Sequence, residues 1–142
     1  MTRIVWDQPE RTGTWVCERT GGKYSAVDSA AIGLERDGAL IAGVLFDHYN
    51  GRSIAMHVAA DGPHWLNRAY LKACFAYPFI QLGVEKILGL VDSMNAAARR
   101  FDEHLGFVLE ATIRDAAPHG DLLIYSMTAD QCRFIRGLRH AA

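Results

Sequence analysis

The sequence predicts an α+β domain built on a mixed, mostly antiparallel sheet with one central parallel strand pair. Three observations carry this reading. The dipeptides Asp37-Gly38 and Asn50-Gly51, each suited to tight hairpins, separate three apolar or alternating runs. After Ala60 the hydrophobic period changes from two to helical, and a short apolar run over 86–91 follows that helix. Strand, helix and strand in this order form a right-handed crossover between parallel neighbours. One core of this kind suits 142 residues, so 1–142 is read as a single domain. With 50% hydrophobic residues, enough surface can be buried to offset ordering entropy, which excludes a disordered chain.

Taken in order, residues 3–6 fit a short opening strand, and 9–19 a helix stopped by Gly21-Gly22. Residues 31–36, 39–49 and 53–60 form the antiparallel meander. Trp65, Leu66, Ala69, Tyr70, Ala73, Cys74 and Tyr77 then recur at helical spacing, with Pro78 bending or ending that helix. The uniformly apolar 86–91 is expected to be a strand covered on both faces. Residues 95–105 read as a second helix stopped by Gly106, and 107–114 pairs with 121–128 across Pro118-His119-Gly120. A short helix over 129–138 closes the chain. Tyr70, Phe75, Tyr77, Phe79 and Phe101 read as packing.

Fifteen Lys plus Arg against 16 Asp plus Glu leave a net charge of -1, so no global basic field supports nucleic-acid binding. Arg133, Arg136, Arg139 and His140 form a local basic stripe that reads as a solvated face or a contact with an acidic partner. The longest nearly apolar stretch, 69–82, is broken by Lys72, Pro78 and Gln81 and falls short of a membrane span. Met1-Thr2-Arg3-Ile4 lacks a signal-peptide run, so a cytoplasmic protein is expected. Cys17, Cys74 and Cys132 form no CxxC pair and read as reduced thiols. His48, His104 and His119 stand at no metal-ligand interval, so no metal is expected.

The crossover places the loop over 60–64, the following helix N-terminus and the loop over 93–95 at one edge of the sheet. That edge is the usual ligand site of open α/β sheets, and a helix N-terminus there suits an anion such as a phosphate.

Asn95-Ala96-Ala97-Ala98-Arg99-Arg100-Phe101-Asp102-Glu103-His104-Leu105-Gly106-Phe107 resembles the Asn-x-x-Ala…Leu-Gly-Phe segment of the GNAT acetyltransferase family. Glu110-Ala111-Thr112-Ile113-Arg114-Asp115 and Gly120-Asp121…Ile124-Tyr125-Ser126-Met127 are similar to its branch that acetylates ribosomal-protein N-termini and related small amines. A looser similarity is to compact acetyltransferase-like proteins of phage and prophage. The resemblance covers residues 31–128. It implies helices on both faces of the sheet, and central parallel strands splayed into a V-shaped cleft that holds acetyl-CoA as cosubstrate. The pantetheine would pair with the backbone of 57–60, including Val58 and Ala60, and Asn95 would line the cleft. The loop over 61–68 would meet the pyrophosphate. The implied chemistry is direct attack on the thioester by a primary amine, of a small molecule or of a protein N-terminus or lysine. It requires a base, an oxyanion-binding N–H and an acid.

Against that pattern the phosphate loop departs. The family's glycine-rich run is replaced by Asp61-Gly62-Pro63-His64-Trp65-Leu66-Asn67-Arg68, with one glycine and a proline that has no N–H. Either His64, Asn67 and Arg68 supply side-chain donors, with Trp65 and Leu66 beside them, or CoA binding is weak. Arg99 is the further candidate cation for the CoA phosphates. At the family's tyrosine acid stands Asp102, a surface charge unless burial raises its pKa; Ser93 is the other candidate acid. His57 shares its strand face with Ala55 and Ala59, opposite Ile54, Met56, Val58 and Ala60. A lone imidazole there is a base or acceptor-binding group, or a hydrogen-bonded core group. Glu35 reads as a base acting through water or as an exposed strand carboxylate. Only about thirty residues precede the family's sheet, one helix fewer than usual. The acceptor cleft is therefore expected to be open, or closed by a second copy in a homodimer. The function expected is N-acetyl transfer; the alternative is a catalytically inactive GNAT-like CoA-binding or assembly protein.

Overall fold

A computed structural model describes residues 1–62 and 67–138. Seven strands, β1 (Thr2–Val5), β2 (Ala30–Arg36), β3 (Ala39–Asp47), β4 (Ser53–Ala60), β5 (Lys86–Asp92), β6 (Val108–Ile113) and β7 (Leu122–Thr128), form one sheet in the order β1-β2-β3-β4-β5-β7-β6. Every neighbouring pair is antiparallel except β4 with β5. The first hairpin turns where expected, with Asp37 at φ 52° and Gly38 at φ 88°, the left-handed pair that lets two strands reverse in two residues.

Helix α1 (Pro9–Thr20) covers one face and helices α2 (Arg68–Ala76) and α3 (Ala96–Leu105) the other. The larger core lies on the α2 side, where Leu34, Val44, Phe46, Tyr70, Phe75 and Tyr125 are almost wholly buried. On the α1 side Val16 and Cys17 pack against Ala31 and Leu45. Their approach is set by glycine. Gly33 and Gly43 are direct partners across β2 and β3, and a Cβ at either would come within 2.7 Å of Thr12 Oγ1 or Val16 Cγ2. The bare backbone of two strands is thus the surface on which α1 rests.

Pro78 ends α2 as its sequence position implied: it has no N–H for the i−4 carbonyl and its ring crowds it, so the α-helix stops at Ala76 and widens into one π-turn, Tyr77–Gln81. Three other sequence expectations are corrected. The closing helix over 129–138 is instead two 3₁₀ turns, Ala129–Gln131 and Arg133–Ile135. Between them Cys132 is extended and buried with Ile135, while the Phe134 ring stacks on Phe75 at 5.0 Å, so docking onto α2 overrides helical periodicity. Strand β5 is not covered on both faces: α1 packs on β2, β3 and β4, and Leu90 remains 44% exposed. Arg133 also leaves the solvated stripe, donating to the carbonyls of Leu105 and His104 at 3.0 and 2.9 Å and so capping α3. Arg139 and His140 lie outside the described residues. Among the described residues no helix is long and apolar enough to cross a membrane.

Gly43→Ala is expected to lower stability by about 1–3 kcal/mol, because Val16 is β-branched and stiff and the helix must shift. Urea unfolding measures it; an unchanged midpoint would mean that α1 does not rest on this glycine pair.

Candidate active site

The site begins where two strands part. Strands β4 and β5 share only the register pairs Ser53↔Lys86, Ile54↔Ile87 and Ala55↔Leu88. Beyond Ala55, β4 stays laddered to β3 as far as Ala42↔Ala60, and β5 stays with β7 as far as Asp92↔Leu122. Each strand follows its other neighbour, so a V opens between them, as the family resemblance implied. Over residues 56–60, Val58 and Ala60 included, the β5-side backbone of β4 has no ladder partner. Such an edge can accept an extended, amide-bearing chain.

At the wide end of the V stand the N-termini of α2 and α3. Asn67 and Asn95 are their N-caps, each side-chain oxygen accepting from the backbone N–H three residues on, of Tyr70 at 3.0 Å and of Ala98 at 3.1 Å. Both asparagines are thus helix caps first, and among the described residues no hydrogen bond engages their side-chain amide N–H groups. Arg68 opens α2 and is exposed. His64, Trp65 and Leu66 lie outside the described residues. Asp61, at the end of β4, would set a negative charge near a phosphate. Its carboxylate instead receives two hydrogen bonds from Arg19, both at 2.9 Å, which hold its pKa below the ordinary value. Arg19 in turn lies over the Trp15 ring, 3.6 Å from its centroid.

At the narrow end, one titratable group stands on each face. His57, two residues past the last ladder pair, is on the α1 side, and its Nε2 donates to Asp47 Oδ1 at 2.8 Å. The same oxygen accepts from His48 Nδ1 at 2.9 Å. Burial pushes the Asp47 carboxyl up, but the bonds from His48 and His57 outweigh it and hold the group below its usual range. Sequence reading missed Asp47. The signal was present in the hairpin register: with Asp47 opposite Ala55, position 47 shares the face of 57 across one diagonal. Asp47 and His48 also line a cavity of about 370 Å³ with Lys23, Ser25, Asp28 and Ser29.

On the opposite face Asp102 of α3 lies against Gly89, one residue past Leu88. A Cβ at Gly89 would sit 2.8 Å from Asp102 Oδ2, so the absent side chain is what admits the carboxyl. Burial, with the charge of Glu103 beside it, pushes the Asp102 pKa up to about 7. Asp102 is therefore not the surface charge that one reading allowed. Arg99 and Glu103, on the same helix, engage the buried Tyr125, whose hydroxyl donates to Glu103 Oε2 at 2.6 Å. Arg99 is thus partly committed to Tyr125.

Two further candidates are engaged elsewhere. Ser93 stands beyond the far end of β5, roughly 16 Å along the strand from Leu88. Its hydroxyl accepts from the Asp121 N–H at 2.8 Å, tying the β5–α3 loop to the turn before β7. Glu35 is buried, not exposed, and is held by Arg3 at 2.7 Å and Arg11 at 2.8 Å, which keep it ionised and remote from the V. Among the described residues no group of His, Cys, Asp and Glu could hold a metal ion.

No family model and no curated protein matches the sequence. Solved structures do. A point mutant of the spermidine N-acetyltransferase SpeG from Vibrio cholerae superposes with a TM-score of 0.70 at 16% identity, over 100% of this chain and 99% of its own. A chimera of that enzyme with hSSAT gives 0.69 at 15% identity, over 89% and 95%. A probable acetyltransferase gives 0.62 at 19% identity, over 82% and 68%. At these identities the likeness is one of fold, and it agrees with the strand order, the single parallel pair and the V between β4 and β5: the chain is folded as a GNAT acetyltransferase.

Proposed function

We propose that this protein is an acetyl-CoA-dependent N-acetyltransferase acting on a primary amine. The observation that carries the reading is the pair of titratable groups at the parting of β4 and β5. His57 stands on one face, within two residues of the last ladder pair, and Asp102 on the other, against the residue that follows it. A thioester of coenzyme A fits what is present. Its amide-bearing arm suits the unladdered edge at Val58 and Ala60, and its phosphates suit Arg68, Asn67 and the N-termini of α2 and α3. When bound, it supplies the activated acetyl group. The chain does the rest. His57 takes the proton from the amine as the N–C bond forms. Asp102, protonated in part near neutrality, delivers its proton to the sulfur as the C–S bond breaks, and both groups then re-equilibrate with water. Asn95 fixes the loop that borders the V by capping α3.

The acceptor classes to test come from two sources. The structural neighbours carry the name spermidine N-acetyltransferase, which suggests a polyamine; the block over 110–127 suggests a protein N-terminus. The buried free thiols of Cys17, Cys74 and Cys132 suit a reducing, cytoplasmic setting. A second copy covering Leu90, Val108 and Ile113, all exposed on the open face of the sheet, is the form a homodimer would take. A second reading, a non-catalytic CoA-binding or assembly protein, draws on the Gly62-Pro63 loop, which offers few backbone N–H donors to pyrophosphate.

Titration calorimetry with acetyl-CoA and with desulfo-CoA is expected to show binding, and no heat at millimolar ligand would end the cofactor assignment. Arg68→Ala should weaken that binding about tenfold, the worth of one charge-assisted phosphate contact. Acetylation of spermidine or of an N-terminal peptide separates the two readings, since the non-catalytic one requires neither to turn over.

For Asp102→Asn, kcat is expected to fall about 10²-fold with the KM for acetyl-CoA little changed. Stability provides an independent check. The unfolded carboxyl ionises near 3.8 while the folded one keeps its proton up to about 7. The stability contributed by Asp102 is therefore fully present below pH 4 and is lost as pH rises toward 7. This loss is at most about 4 kcal/mol, and it disappears in the variant. Urea unfolding across that pH range reads the difference.

A further inference from the structure

We propose that Asp47 is a positioning residue for acetyl transfer, fixing the His57 ring so that Nδ1 is the atom that takes the amine proton. This deepens the assignment of His57 as base and rests on it. An ionised carboxylate only accepts hydrogen bonds. Because the bonds from His48 and His57 keep Asp47 ionised, the His57 nitrogen 2.8 Å from its Oδ1 must carry a hydrogen. That nitrogen is Nε2, so neutral His57 is the Nε2–H tautomer and its lone pair lies on Nδ1. The second nitrogen of the base is thereby selected by a residue ten positions away on β3.

Asp47 is itself held in place. Its Oδ1 accepts a second bond from His48 Nδ1 at 2.9 Å, and its side chain is only 27% exposed. On α1 the facing group is Cys17, whose thiol is pushed up by burial and by the Asp47 charge and so stays neutral. Asp47 also forms part of the wall of the cavity on the α1 side, so one carboxylate joins that cavity to the ring at the parting of the strands. When the amine proton reaches Nδ1 the ring becomes an imidazolium, and its new charge lies against a carboxylate already bonded to it. An asparagine at 47 keeps an acceptor oxygen but loses that charge, and its amide can turn a donor toward Nε2, which releases the tautomer.

The test has two arms. In the first, long-range ¹H–¹⁵N spectra of the native protein with ¹⁵N-histidine are recorded at a pH where His57 is neutral. They are expected to show His57 with a protonated Nε2 and an unprotonated Nδ1; the reverse tautomer would overturn the proposal whether or not the protein turns over. In the second, Asp47→Asn is expected to lower kcat about 100-fold, within the range lost with a misaligned base, while the KM for acetyl-CoA stays within about twofold. In this variant the single-tautomer signature should be replaced by a mixture. Asp47→Glu, which restores the charge, should recover part of the rate. Asp47→Asn with native kcat, or with the native tautomer retained, would refute the positioning role. If neither native protein nor variant acetylates any amine, the enzymatic reading fails, while the spectra still decide whether Asp47 sets the ring.

Discussion

A strand has two edges, and β4 and β5 each spend one of them fully on the neighbour they do not share. β4 is laddered to β3 over its last six residues and β5 to β7 over its whole length, whereas the two are joined to each other by three register pairs. The twist of each half-sheet then separates them, since neighbouring strands rotate by roughly 20–25° and three pairs cannot hold two such halves together. The V, the free edge over 56–60 and the position of both titratable groups follow from that short ladder. Neither helix N-terminus would be near an unpaired strand edge if the ladder ran to Ala60.

The two faces of the sheet solve different packing problems. On the α2 side, bulk fills the space: Tyr70 spans the layer to donate to the Ile32 carbonyl at 2.8 Å, and Phe75 anchors Phe107 and Phe134. On the α1 side, bulk is removed at Gly33 and Gly43 so that a single helix can lie low and bring Cys17 near Asp47. The charged residues of that side are paired over long chain separations, as Glu35 is with Arg3 and Arg11 and Asp61 is with Arg19. His57 and Asp47 are the pair among these that borders the V.

Much of this was legible in local patterns. Alternation assigned His57 to its face, the hairpin dipeptides set the meander, and the change of period located the crossover. What was illegible depended on partners distant in sequence. Asp102 looks like any helix carboxylate until Gly89 comes beneath it from another strand. Glu35 looks solvent-facing until Arg3 and Arg11 arrive from β1 and α1. The periodicity over 129–138 is genuinely helical, yet burying Cys132, Phe134 and Ile135 against α2 and α3 stabilises more than a marginal ten-residue helix could. Asp47 comes beside His57 only through the register of the β3–β4 hairpin, which pairs it with Ala55 and so sets it on the face of the imidazole.

The open α1-side face of β5 gives the V a further property. On the α2 side the narrow end lies beneath packed helices, with Asp102 set against Gly89. On the α1 side Leu90 stands 44% exposed on the same strand. The two faces of one parting therefore meet water differently, one as an interior and the other as a surface.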